Sequence, residues 1–157
     1  YLQFARDDRE EQMVDASLFK LLQQASKTSD PSGDKINIIP PNDNIPIFPI
    51  QVQSIRRALT NLLTNAIRYA GKATAQIQIF DDHSEIIIDD NGPGIPTELK
   101  DTLFYPMVTN KTDGSGLGLS ISQTLVGHHR GKIEVDSWPG RTEFTLYLPI
   151  ERKDPET

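Results

Sequence analysis

Three segments of this 157-residue chain carry residue types whose spacing could do chemistry. In "ALTNLLTNAIRYA", residues 58–70, Asn61 and Asn65 stand one turn apart on an otherwise good amphipathic helix. Asparagine is a mediocre helix former because its amide competes for backbone hydrogen bonds, so the pair calls for a reason. In "DDNGPGIP", residues 89–96, Asp90 follows a run of isoleucines. A buried strand there would deliver its carboxylate to a sheet end, and Gly92 and Gly94 would let the backbone approach a ligand closely. In "GSGLGLS", residues 114–120, Gly114, Gly116 and Gly118 free successive N–H groups at the start of a helix. Such groups can converge on one anion, and the helix dipole adds to the attraction.

Each segment also has a plainer reading. On the asparagine helix, Ile55, Ala58, Leu59, Leu62, Leu63, Ala66 and Ile67 form one apolar stripe. Arg57, Asn61, Asn65 and Arg68 fall opposite, with Tyr69 at the margin. Taken alone this is a solvated face, although such faces usually favour Glu, Lys and Gln. "DDNGPGIP" alone is a tight turn capped by aspartate. "GSGLGL" fits neither GxxxxGK[ST] nor the glycine spacing of a dinucleotide-binding βαβ unit.

The elements that would position these residues follow from periodicity. "VDASLFKLLQQAS" predicts a helix with Asp15 as N-cap, broken by "DPSG" at 30–33. "KINIIP" and "IPIFPI" are short strands whose prolines assign them to edges or strand ends. The asparagine helix spans roughly 51–69 and ends at "GK". "ATAQIQIF" and "EIIIDD" pair around "DDHS", "TELKDTLF" is a short helix, and "VTNKTDGSG" is a polar loop. "LGLSISQTLVGHH" is a helix, and "KIEVDSW" and "TEFTLYLPI" are strands around "PG" at 139–140. Interleaved helices with directly consecutive strands predict an α/β sandwich: a mixed, mainly antiparallel sheet with helices layered on one face.

Composition limits the partners. Net charge is −6, with 22 acidic and 16 basic residues, so there is no global basic footprint for nucleic acid. An anion must be held by local devices: backbone N–H groups, a metal ion or a few placed cations. The absence of cysteine rules out disulfides and thiolate metal sites and is compatible with a reducing cytosol. No apolar run reaches the ~20 residues of a membrane span. We expect a cytoplasmic, monomeric fragment without membrane contact, cut from a longer protein that could be membrane-anchored upstream. The expected organisation is the end of a helix running into a linker over residues 1–11, one domain over 12–150 and a tail over 151–157.

In order along the chain, these segments resemble the catalytic, ATP-binding domain of bacterial sensor histidine kinases, in the gyrase, Hsp90, histidine kinase and MutL superfamily. "NLLTNAIRYA" is similar to that family's asparagine box and "DDNGPGIP" to its first glycine box. "LFYPM" resembles its phenylalanine box, "GSGLGL" its second glycine box and "GRTEF" its final glycine segment. The fold so implied is the Bergerat-type ATP-binding fold. The N-terminal tract and "RRALTNLLTNAIRYAG" resemble osmosensor (EnvZ-type) kinases. The sequence from about Thr97 resembles nitrogen-regulation (NtrB-type) kinases. A natural mosaic, an engineered chimera or an unfamiliar lineage would all read this way.

The resemblance implies roles residue by residue. Asn65 would ligate the Mg²⁺ that bridges the ATP phosphates. Asn61 would support the phosphate and metal side, with Arg68 and Tyr69 near the phosphates or ribose. Asp90 would accept from the adenine amine, Gly92 and Gly94 would give the base room, and Thr142 would bind it directly or through water. Gly114, Gly116 and Gly118 would form the phosphate-side hinge of a lid. Ile95 and Leu117 belong to the same nucleotide-binding set, and Lys111 is the candidate lid cation.

ATP-hydrolysing relatives carry a glutamate as general base at the position of Asn61, and an amide has no useful basicity near neutral pH. The implied acceptor is instead a histidine on a separate dimerisation domain, through which a response regulator would be served. None of His83, His128 and His129 has the phospho-accepting context. His128 and His129 close a helix before Gly131, a structural position. The chain is therefore expected to bind ATP without phosphorylating itself. Two other readings are an anti-sigma-type serine kinase and a non-catalytic ATP-binding module.

Overall fold

The computed structural model describes residues 11–41, 45–92 and 115–150. Seven strands and three helices are described: β1 (Val14–Ser17), α1 (Leu18–Ser29), β2 (Ile36–Ile39), β3 (Ile47–Ile50), α2 (Val52–Ala70), β4 (Ala73–Ile79), β5 (His83–Asp90), α3 (Ser115–Gly127), β6 (Lys132–Trp138) and β7 (Arg141–Pro149). Five strands form a sheet in the order β2-β4-β5-β7-β6, with β2 parallel to β4 and every other pair antiparallel. β1 and β3 form a separate antiparallel ribbon. This is the expected α/β sandwich. One expectation fails: the chain before Leu18 is strand, and Ser17, not Asp15, caps α1 by accepting from the Lys20 N–H at 3.4 Å. Pairing of Asp15 with Pro49 across the ribbon overrides the local capping preference.

The sheet alternates cleanly. Side chains of β5 at 84, 86, 88 and 90 are buried, and those at 83, 85, 87 and 89 are half-buried. The isoleucine run is thus covered on one face rather than two. Across that inner face lie two apolar rows set by register. One joins Ile77, Ile86, Leu146 and Ile133, and the next joins Ala75, Ile88, Phe144 and Val135. α2 lies over β4 and β5, with α1 on one flank and α3 on the other. Leu59, Leu62 and Leu63 of α2 are fully buried, and each side chain of this kind contributes roughly 1.5–3 kcal/mol.

The start of α2 is tied from outside the helix. Gln51, at the N-cap, makes no side-chain capping bond. Instead the Glu11 carboxylate accepts from the Gln53 N–H at 2.6 Å, the Ser54 N–H at 3.0 Å and the Ser54 hydroxyl at 2.8 Å. The Gln51 N–H donates to His129 Nε2 at 3.0 Å, while His129 Nδ1 donates to the Leu125 carbonyl at 3.2 Å. His129 therefore has the structural helix-end role expected of it, and it also joins the end of α3 to the start of α2. Burial holds its pKa below the ordinary value, which keeps the neutral tautomer that both bonds require. At the other end, Gly71 (φ +83°) stops α2 by donating to the Ile67 carbonyl at 2.8 Å.

Glu11→Ala should remove acceptors from two otherwise orphaned helix N–H groups and lower stability by about 1 kcal/mol, the usual cost of a lost N-cap. Glu11→Gln should recover part of that loss in chemical denaturation.

Candidate nucleotide site

Beyond the two apolar rows, the inner face ends in a polar one. Register aligns Ala73, Asp90, Thr142 and Ser137 across β4, β5, β7 and β6. Asp90, Thr142 and Ser137 are 8, 4 and 6% exposed, so a carboxylate and two hydroxyls lie side by side under cover. The Ser137 and Thr142 hydroxyls are 2.8 Å apart. Asp90 accepts from the Gly92 N–H at 3.0 Å, and burial raises its pKa, with the neighbouring Asp89 charge acting in the same direction.

The paired aspartates divide between the faces. Asp89 points outward, where it accepts from Arg141 Nε at 3.1 Å and Nη2 at 3.0 Å, and Arg141 also reaches Glu143 at 3.0 Å. Half-exposed pairs of this kind hold the outer face in order but add little stability. Only Asp90 is directed under the helices.

α2 reaches the same end of the sheet. A Cβ on Gly92 would lie 2.9 Å from Ala70 Cβ, so the turn after β5 passes against the last residue of α2 with no room for a side chain. Asn65 lies five residues earlier, about 7.5 Å along the helix axis. It is 6% exposed, whereas Asn61 and Arg57 are half-buried and Arg68 is exposed. At Asn65 the polar face of this helix is therefore not a solvated one.

Tyr69 lies in the last turn of α2, and Gly116, Leu117 and Gly118 lie in the first turn of α3. Gly94, Ile95, Lys111 and Gly114 fall outside the described residues, as do the expected short helix after Pro96 and the polar loop. Ser137 was not among the sequence candidates. Its signal was present: Pro139 and Gly140 form a two-residue turn, and counting outward pairs Ser137 with Thr142.

A groove of about 550 Å³ opens at this end of the sheet, lined by Lys35, Lys72, Thr74, Asp89, Asp90 and Arg141 among others. It meets the polar row at Ala73 and Asp90, and neither Asn65 nor Thr142 lines it. Among the described residues, no three His, Cys, Asp or Glu side chains gather into a metal-sized cluster. The donor available on α2 is instead an amide oxygen. That suits Mg²⁺, which takes hard oxygen ligands and is commonly held by one or two side chains together with phosphates.

Similarity to known proteins decides the family. Residues 50–152 match the family described as histidine kinase-, DNA gyrase B-, and HSP90-like ATPase. The chain belongs to that family. It is 44% identical to the sensory histidine kinase/phosphatase NtrB of Vibrio alginolyticus, over 69% of this chain and 35% of that protein. It is 41% identical to NtrB of Salmonella typhimurium, over 76% of this chain and 38% of that one. The chain thus spans little more than a third of these relatives. Matches this broad cannot be confined to the residues after Thr97, so likeness to nitrogen-regulation kinases extends into the half expected to resemble osmosensors. The catalytic domain of histidine kinase ThkA, in a nucleotide-free form, has a TM-score of 0.74 at 27% identity, covering 88% of this chain and 95% of that one. Mycobacterial sensor histidine kinase MprB shares the fold, with a TM-score of 0.73 at 22% identity, over 90% of this chain and 99% of that one. The chain is an ATP-binding domain of the histidine kinase kind. No helix among the described residues is long and apolar enough to cross a membrane.

Asp90→Asn separates stability from recognition. A carboxylate with a raised folded pKa destabilises the fold at every pH above that value, and the penalty vanishes below its ordinary pKa of 3.8. The variant should therefore unfold at a higher temperature than wild type at neutral pH, the gain fading as pH falls toward 3.8. Under the role that the resemblance implies for Asp90, the variant's ATP affinity should drop by about 10- to 100-fold, the worth of a hydrogen bond to a charged group.

Proposed function

We propose that the chain is the catalytic domain of a two-component sensor histidine kinase, which delivers the γ-phosphate of ATP to a histidine on a separate dimerisation domain. A response regulator is served through that domain. The observation that carries this reading is the buried polar row Asp90–Thr142, set at the end of α2 that bears a buried Asn65.

Asp90 accepts from the adenine amine. Guanine offers an oxygen there, which would leave two acceptors facing each other. Thr142 binds the base beside it, and Gly92 keeps the wall low. Asn65 holds the Mg²⁺ through its side-chain carbonyl, with Asn61 and Arg68 toward the phosphates and Tyr69 near them or the ribose. By the resemblance, Gly94 would give the base room and Ile95 would belong to the nucleotide-binding set. By the same resemblance, Gly114, Gly116 and Gly118 would form the phosphate-side hinge, Leu117 would belong to the nucleotide-binding set, and Lys111 is the candidate lid cation. Bound Mg²⁺ supplies charge neutralisation on the phosphates, the main requirement of phosphoryl transfer. Because Asn61 has no proton-accepting capacity near neutral pH, water is not activated, and ATP persists until an imidazole arrives.

The direct test mixes the chain with γ-labelled ATP and an isolated histidine-bearing dimerisation domain. Label on that histidine, and none on the chain alone, is the expected outcome; label on a serine of an anti-anti-sigma protein would overturn the reading. Asn65→Ala should lower Mg²⁺-dependent ATP affinity by at least about 10-fold with the unfolding temperature preserved, and unchanged affinity would remove the metal assignment. Asn61→Glu should give at most weak ATP hydrolysis. Robust multiple-turnover hydrolysis would identify Asn61 as the main block to water attack.

A further inference from the structure

Asp90 sits under the helices, but the strand that carries it turns a row of like charge to the other face. Register sets Asp89 opposite Glu143 and Glu143 opposite Asp136, so three carboxylates lie in line across β5, β7 and β6. Like charges directly opposite one another on neighbouring strands repel. Arg141 answers them. Its Nε and Nη2 donate to Asp89 at 3.1 and 3.0 Å, and Nη2 donates to Glu143 at 3.0 Å. Its guanidinium also stands 5.7 Å from the centroid of the Trp138 ring, an attraction that keeps the group against the sheet. The side chains of Arg141, Asp89 and Glu143 are 47, 20 and 28% exposed, so water screens the two carboxylates only in part.

The ion pair flanks the base-reading pair on the same two strands: Asp90 follows Asp89 in β5, and Thr142 follows Arg141 in β7. Burial raises the pKa of Asp90, and the charge of Asp89 acts in the same direction. The Gly92 N–H opposes both. Other elements bring the buried hydroxyls of Thr142 and Ser137, the Asn65 amide of α2 and Arg68, exposed in the last turn of that helix. Asp34, Lys35 and Lys72 stand exposed around the groove that Asp90 lines.

We propose that Arg141 is a positioning residue for base recognition: bound to Asp89, it cancels the charge beside Asp90 and keeps Asp90 a charged acceptor for the adenine amine. An ion pair this exposed adds little stability, so its effect lies in the carboxylate it leaves undisturbed. A protonated Asp90 would lose the charge-assisted bond to the amine, roughly twice as strong as a neutral one. Arg141 thus acts through Asp89, from the outer face of the sheet. This rests on the assignment of Asp90 to adenine made above.

The test follows the Asp90 side-chain carboxyl by carbon NMR in an acid-to-neutral titration of the nucleotide-free chain, and measures the dissociation constant of ATP with Mg²⁺ over the same range. Protonation of ATP itself is common to all variants and cancels in the comparison. Arg141→Ala should raise the Asp90 midpoint by about half to one pH unit, the effect of an unmasked neighbouring charge near a protein surface. The acid-side loss of ATP affinity should move up with it. Arg141→Lys, which keeps the charge, should recover most of the wild-type midpoint. Adding Asp89→Asn to Arg141→Ala should cancel most of the shift, and high salt should shrink it. An unmoved midpoint in Arg141→Ala, or a shift that survives Asp89→Asn, would overturn the proposal. A midpoint that moves while ATP affinity keeps its wild-type pH profile would instead overturn the assignment of Asp90 to adenine, and this inference with it.

Discussion

The antiparallel register of β5 with β4 and β7 is the constraint on which the site depends. Strand side chains alternate, so a slip of one residue would turn Asp90 and Thr142 outward and bring Asp89 and Arg141 under the helices. The apolar rows prevent this. Ile86 and Ile88 must meet Leu146 and Phe144 beneath α2, and the same slip would expose all four. Hydrophobic burial in the middle of the sheet thus fixes the face of a polar row at its end. The network of Asp89, Arg141 and Glu143 occupies the outer side of the same strands, where partial exposure makes charge tolerable.

The price of that arrangement is a carboxylate held away from water before any ligand is bound. Its pKa is raised by burial and only partly relieved by the Gly92 N–H. A stability-optimised sheet would have no aspartate there, which is why the position reads as functional. A net charge of −6 makes the point sharper, because a domain of this sign cannot attract a nucleotide by its overall field. In the proposed function, selectivity comes from directed hydrogen bonds, and phosphate affinity would come from backbone N–H groups and a divalent cation. In the function proposed above, Asn61 would set the chemical outcome by lacking basicity, separating binding from hydrolysis.

Local patterns in the sequence revealed much of this. The asparagine helix, the isoleucine strand ending in Asp90 and the hairpin at Pro139–Gly140 all rest on contacts between near neighbours, and all are present. What was not legible depends on distant pairing. The Asp15 cap was lost to a strand ribbon formed with residues more than thirty positions away. Glu11, read as linker, caps a helix forty-two positions downstream, which no local signal announces. Asn65 and Asn61 look alike in the sequence, yet only the first is buried. The paired aspartates could be told apart only once strand alternation assigned one to each face.

A crystal structure of the chain with ATP and Mg²⁺ tests the central claim most directly. The adenine amine should lie about 3 Å from the Asp90 carboxylate and the Mg²⁺ about 2.1 Å from the Asn65 side-chain oxygen. A base seated instead in the groove between Lys35, Lys72 and Arg141, or a metal with no bond to Asn65, would contradict it.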